Sequence, residues 1–136
     1  MDNDKKLIGL VEIVEIVGAK GSIKKRALFD TGATRSCVDV KIAAKAGIGP
    51  IVSSVRIKSA SAPKGYTRRA IAEATIKIKG KEVKARVNIE DREGLPYSVL
   101  IGRDIIHENF LIDVSKSNKS IKSNDLRERE KNEYVQ

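Results

Sequence analysis

The stretch IAEATIKIKG followed by KEVKARVNIE, residues 71–90, alternates apolar with polar or charged side chains on both sides of Gly80-Lys81. A period of two marks a strand with one dry and one wet face, because successive side chains leave a pleated backbone on opposite sides. Two such runs meeting at a glycine read as a hairpin. The pattern recurs in LIGLVEIVEIV and SIKKRALFD, joined by the glycine-bounded turn GAKG, and again in IVSSVRIKSA. Only sheet formation satisfies so many half-apolar strands. The 136 residues are the size of one domain. Hydrophobic residues make up 40 %, with no Trp, which suits a β-rich globular chain with few, short helices. KIAAKAGIGP favours one such helix, ended by Gly47, Gly49 and Pro50, and RDIIHENF gives a helical turn or two. SAPKGYTRRA is a turn-rich loop between strands, DREGLP a surface turn, YSVLIG a nearly continuous apolar strand, and FLIDV the last strand. From Ser115 onward the composition turns polar, so the expected organisation is a domain over residues 1–115 and a disordered or marginally helical tail over 116–136.

Charge narrows the function classes only modestly. Lys and Arg number 27 against 18 Asp and Glu, a net charge of +9 that permits an anionic partner such as nucleic acid. The basic residues are spread in strand-like alternation, aromatics are 4 %, and no recognition motif accompanies them, so a solvated basic surface is the expectation. Cys37 stands alone; no intramolecular disulfide can form, a reducing, cytoplasmic setting is expected, and the side chain reads as a small buried hydrophobe. Glu12 and Glu15 interrupt the apolar N-terminal stretch, which argues against a signal peptide or membrane span. His107 is the single histidine and HEN lacks the second His of a zinc helix, so no metal site is expected. GAKGS lacks the Gly-Lys-Ser/Thr ending of a phosphate loop, and no cofactor is expected. Asp39, Asp104 and Asp113 read as a turn residue, a helix N-cap and a strand-end charge.

One acid resists such an assignment. In ALFDTGATRSC, residues 27–37, Asp30 closes an apolar run, where an ionised carboxylate is costly unless it is paired or used. Gly32 allows a close backbone approach, and Thr31 offers a hydroxyl for a structural hydrogen bond. Such a turn suits acid–base chemistry, although Asp-Thr-Gly by itself is also an ordinary turn.

The surrounding residues resemble the active-site loop of the retropepsin-type aspartic proteases, in which apolar residues precede Asp-Thr-Gly-Ala and a Ser or Thr follows. Val99-Leu100-Ile101-Gly102-Arg103-Asp104 is similar to a second element of that family, an apolar strand ending in Gly-Arg-Asn/Asp that threads beside the catalytic loop and leads into a short helix. The order of elements between Leu7 and Ser115 resembles most the retroviral-protease-like domain of the DNA-damage-inducible ubiquitin-shuttle proteins. The resemblance implies an all-β, retropepsin-like closed β-barrel with one or two short helices, acting as a homodimer on a polypeptide. It implies that Asp30 is the catalytic carboxylate, within an active-site loop that includes Thr31, Gly32 and Ala33. Residues 59–69 would form a flap with Lys64, Gly65 and Tyr66 near its tip, and Ile101, Gly102 and Arg103 a supporting strand. Arg103 matches a basic residue that retroviral enzymes pair with an Asp soon after the triplet, but here Thr34 and Arg35 stand there.

One chain carries one such triplet. Peptide hydrolysis of this type needs two nearby carboxylates, one ionised as general base and one protonated to polarise the carbonyl, so an active form must be a two-fold dimer. Two other readings remain open: a catalytically silent dimerisation or peptide-binding module of the same fold, and a basic nucleic-acid-associated protein.

Overall fold

A computed structural model describes residues 4–58 and 63–116. The elements are β1 (Lys6–Ile8), β2 (Val11–Gly18), β3 (Gly21–Phe29), β4 (Cys37–Asp39), α1 (Val40–Ala46), β5 (Ile51–Lys58), β6 (Tyr66–Ile78), β7 (Lys81–Glu90), β8 (Val99–Ile101), α2 (Arg103–Ile106), β9 (Phe110–Ile112) and a closing 3-10 turn (Val114–Lys116). Of the tail expected over 116–136, Lys116 ends the 3-10 turn and the rest lies outside the described residues, as does part of the expected flap, 59–62.

Each alternating run forms a strand. In β2, Val14 and Ile16 are buried while Ile13 before them and Glu15 between them are not; in β6, Ile76 and Ile78 are buried and Lys77 is exposed. The strands run in the order β2-β3-β8-β4-β7-β6, and β2 also pairs with β6, which closes a six-stranded barrel; β5 extends the sheet beside β6. Closure leaves the inward side chains one shared interior. Val14, Ile16, Ala27, Phe29, Val38, Ile76, Ile78, Val87, Val99 and Ile101 fill it, joined by Ile105 of α2 and by Phe110, whose ring meets Phe29 edge-on at 6.0 Å. Outside, charges alternate in sign along a cross-strand row: Lys24 opposes Glu15, Glu15 opposes Lys77, and Lys77 opposes Glu82. Such pairing favours this register.

Helix α1 ends as its sequence requires. Gly47 adopts a left-handed conformation, φ 74°, and its N–H bonds the Ala43 carbonyl. The β2–β3 turn rests on that end, with Ala19 and Lys20 N–H groups donating to the carbonyls of Gly47 and Ala46 at 3.0 and 2.9 Å. A side chain at Gly18 would sit 2.3 Å from the Ala46 carbonyl oxygen, so the hairpin and the helix approach closely only because that position is glycine.

Two details differ from expectation. Asp39 is the N-cap of α1, accepting from Lys41 N–H at 3.0 Å, rather than a simple turn residue. Asp104 is not the N-cap of α2, which is Gly102; its carboxylate lies in the first turn, where Oδ1 accepts from Ile105 N–H at 3.0 Å and also from Ser36, 68 residues earlier in the chain.

Candidate active site

The Asp30 loop is built by two strands that run side by side. β3 and β8 pair in parallel, Ala27 with Val99, Leu28 with Leu100 and Phe29 with Ile101. The last bond of this pairing is made by Asp30, whose N–H donates to the Ile101 carbonyl at 2.8 Å. Phe29 faces the core, so its successor turns outward and Asp30 stands partly exposed at the barrel surface. The chain then folds back, Ala33 N–H donating to the Asp30 carbonyl at 3.1 Å and Gly32 N–H to Asp30 Oδ1 at 2.8 Å. One carboxylate oxygen is thereby fixed by its own loop, and Thr31 and Gly32 are exposed beside it.

β8 and α2 support the loop from behind. Gly102 has no room for a Cβ, which would lie 2.8 Å from the Ala33 carbonyl oxygen and 2.9 Å from the Arg35 carbonyl carbon. The N–H groups of Arg103 and Asp104 donate to the carbonyls of Ala33 and Thr34 at 2.8 and 3.3 Å. Beneath them Ser36 is fully buried, and its hydroxyl donates to Asp104 Oδ1 at 2.8 Å while accepting from Gly102 N–H at 2.9 Å. Both Asp104 oxygens also accept from Ser36 N–H. A buried hydroxyl with both capacities used is an inexpensive way to fix a loop in a dry setting. Arg103 completes the support, donating to the Thr31 carbonyl at 2.7 Å and Thr34 Oγ1 at 3.1 Å. In place of a carboxylate partner it uses a carbonyl and a hydroxyl.

The loop borders a hollow of about 480 Å³ lined by Leu10, Leu28, Phe29, Asp30, Thr31, Ile112 and Val114. The other candidate acids are committed elsewhere. Asp39 accepts from Lys41 and Arg92, Asp104 from Ser36, and Asp113 from Ser115. His107 is exposed at the end of α2 beside Glu108, and among the described residues no cluster of His, Cys, Asp and Glu could hold a metal. Cys37 is buried, and burial first, then the hydrogen bond and charge of Glu90, push its thiol up. Lys64 and Gly65 lie in the turn before β6, and Tyr66 opens that strand under the Arg56 guanidinium, 4.6 Å from its ring centre.

The structure brings Asp30 to Ala33 together with Ile101 to Arg103, while Lys64 to Tyr66 sit on a separate hairpin. Sequence reasoning missed the Ser36–Asp104 link and the charged group of Arg69, Glu90 and Arg92. The first left a trace, an Asp following Gly-Arg; the second left none, because its members are joined only across strands.

A family model described as RimB-like, retropepsin-like aspartic endopeptidase RimB, matches residues 43–123, a stretch that holds β8 and α2 and begins beyond the Asp30 loop. Among solved structures, the EIAV protease complexed with the inhibitor HBY-793 is 25 % identical, covers 72 % of this chain and 85 % of its own, and superposes with a TM-score of 0.55. Protein Lpg0085 (DUF785) of Legionella pneumophila, of unknown function, is 20 % identical over 81 % of this chain and 94 % of its own, with a TM-score of 0.55. The retroviral protease-like domain of Ddi1 from Leishmania major is 17 % identical over 73 % and 76 %, with a TM-score of 0.44. No curated protein matches the chain.

Proposed function

The chain belongs to the RimB-like family of retropepsin-like aspartic endopeptidases, and from that premise we propose that it hydrolyses peptide bonds as a symmetric dimer with Asp30 of each subunit at the centre. The observation that carries this reading is the state of Asp30. It is held on a rigid loop, one oxygen bonded to Gly32 and the side chain open to an apolar hollow, while the neighbouring acids are engaged elsewhere. A second carboxylate must come from another copy, and a two-fold axis beside the loop supplies it.

Surface composition around the hollow supports that contact. Leu7 and Leu111 oppose one another across the two-stranded β1–β9 sheet, each about half exposed, with Leu10 and Val114 exposed nearby. A two-stranded sheet with open edges and exposed leucines is marginal alone and gains from strand pairing with a second copy.

In the dimer, a water held between the two carboxylates is the nucleophile. Two such groups about 3 Å apart cannot both ionise, the established behaviour of aspartic-protease dyads, so they share one proton and titrate as a pair. The ionised member takes a proton from water as it attacks the scissile carbonyl, and the protonated member donates to the carbonyl oxygen. Collapse of the tetrahedral intermediate transfers a proton to the leaving amine. The substrate is an extended segment laid under the β5–β6 hairpins, bound in part by strand-like backbone pairing. From Val40 to Ala72 the chain contains no Asp or Glu, yet that hairpin carries Arg56, Lys58, Lys64, Arg68 and Arg69. This favours segments rich in acidic side chains.

Cleavage of an unfolded polypeptide library between acidic and neutral pH, with sedimentation of the same samples, tests the reading. Wild type is expected to cleave as a dimer, and Asp30→Asn to remain folded and dimeric while losing at least about 10³-fold in rate. A folded dimer with no cleavage at any pH would instead leave a peptide-binding or dimerisation module, and cleavage by Asp30→Asn at the wild-type rate would remove Asp30 from the chemistry.

A further inference from the structure

Strand β6 outruns β7. Its ladder with β7 ends at Ala70 opposite Ile89, whereas its ladder with β5 continues to Tyr66 opposite Lys58. Residues 66–69 therefore leave the barrel with only β5 alongside. At the point of departure stands Glu90, the residue just past the last ladder pair. Its carboxylate is ion-paired to Arg69 through Oε2 and to Arg92 Nη1 at 3.0 Å through Oε1. Arg92 is anchored in turn: its Nε donates to the Tyr97 carbonyl at 2.8 Å and its backbone N–H to Asp39 Oδ1 at 2.8 Å.

Ordinary surface ion pairs stabilise little, because water screens them. This group is different in burial and in sharing. The side chains of Glu90 and Arg92 are 13 % and 12 % exposed, and one carboxylate serves two guanidiniums on different segments. Removing it leaves two part-buried cations facing each other. The hairpin beyond is itself positive, Arg56 standing directly opposite Arg68, so like charges weaken its own strand pairing and leave its position more dependent on its root.

We propose that Glu90 is a positioning residue that fixes the root of the β5–β6 hairpin to the barrel, and so sets where that hairpin stands over a bound segment. The second half of the statement rests on the endopeptidase reading; the first does not. Arg69 is the hairpin's side of the clamp, and Arg92 its anchor in the 91–98 loop.

Amide hydrogen exchange on the full chain, paired with steady-state kinetics, tests this. Glu90→Gln keeps the shape and removes the charge. Amides of β5 and residues 66–69 are expected to exchange about tenfold faster, the order expected for loss of a part-buried ion pair, while the β2–β3 hairpin keeps its wild-type rates. KM should rise by a similar factor with kcat nearly unchanged. Arg69→Gln should reproduce the hairpin effect and leave the 91–98 loop protected, which keeps the test decisive if Glu90→Gln fails to fold. Wild-type exchange in the hairpin of either folded variant would overturn the proposal. Uniformly faster exchange throughout the barrel would overturn it too, marking Glu90 as a general stabiliser. A wild type that cleaves nothing would sink the endopeptidase reading and the KM expectation together, while the exchange data would still decide whether Glu90 holds the hairpin.

Discussion

Loop 30–36 is held from beneath by a buried hydroxyl, the Asp104 carboxylate and backbone amides, whereas the β5–β6 hairpin is tied at its root by one carboxylate between two guanidiniums. Ser36, Gly102 and the N-terminal amides of α2 leave the loop a single geometry. Among the described residues, 66–69 have only β5 alongside, with like charges opposed at Arg56 and Arg68. The contrast suits the work proposed for each. A carboxylate that must meet its symmetry mate within a few ångströms needs a rigid seat. A segment that admits and covers a polypeptide must open, and low local stability permits that.

The contrast breaks most readily at Gly102. Gly102→Ala places a methyl 2.8 Å from the Ala33 carbonyl oxygen, and since both neighbours are backbone the loop must shift. Stability should fall by about 3 kcal/mol, near the top of the range for overpacking, and peptide cleavage should be lost with it. Urea titration checks the first, and an unchanged midpoint would mean that the loop is looser than its hydrogen bonds imply. Ser36→Ala should cost about 2 kcal/mol, because the buried Gly102 N–H loses its acceptor and Asp104 Oδ1 loses one of its donors.

Cys37 offers a smaller, pH-dependent comparison. Its thiol is pushed up in the folded chain, so the unfolded chain releases that proton first, near pH 8.5, and unfolding is favoured as pH rises above that value. The stability contributed is therefore complete below about pH 8.5 and fades above it, by roughly 1–2 kcal/mol by pH 10. Cys37→Ala should flatten that part of the stability profile, measured as the urea midpoint against pH. On the hairpin the expected effect is least and of opposite sign. Arg68→Thr removes one of two facing cations and should raise stability by about 0.2–1 kcal/mol, while cleavage of acid-rich segments weakens. A loss of stability there would show that the Arg68 contact to Ser54 Oγ, 3.3 Å long, outweighs the repulsion.

Much of this was legible along the chain. Alternation in 71–90 and in 11–29 marked the hairpins and their inward faces, and Gly47 marked the end of α1. ALFDTGA and VLIGRD were each recognisable, and their adjacency followed from the family they resemble. Asp104 was not legible as a partner of Ser36, since a helix cap and a distant hydrogen bond make the same local demand for an acid after a strand. Nor was Glu90, which in sequence is one more outward charge on an alternating strand.

The sequence by itself determined the strands, the turns that end them and the acid that no local rule explained, because periodicity, glycine and the cost of a buried charge act over a few residues. Only the tertiary structure decided which groups hold that acid's loop in place and which carboxylate steadies the hairpin. Those contacts join Ser36 to Asp104, and Glu90 to Arg69 and Arg92, through barrel closure and parallel pairing of distant strands, and pairing at that range is set by the whole interior.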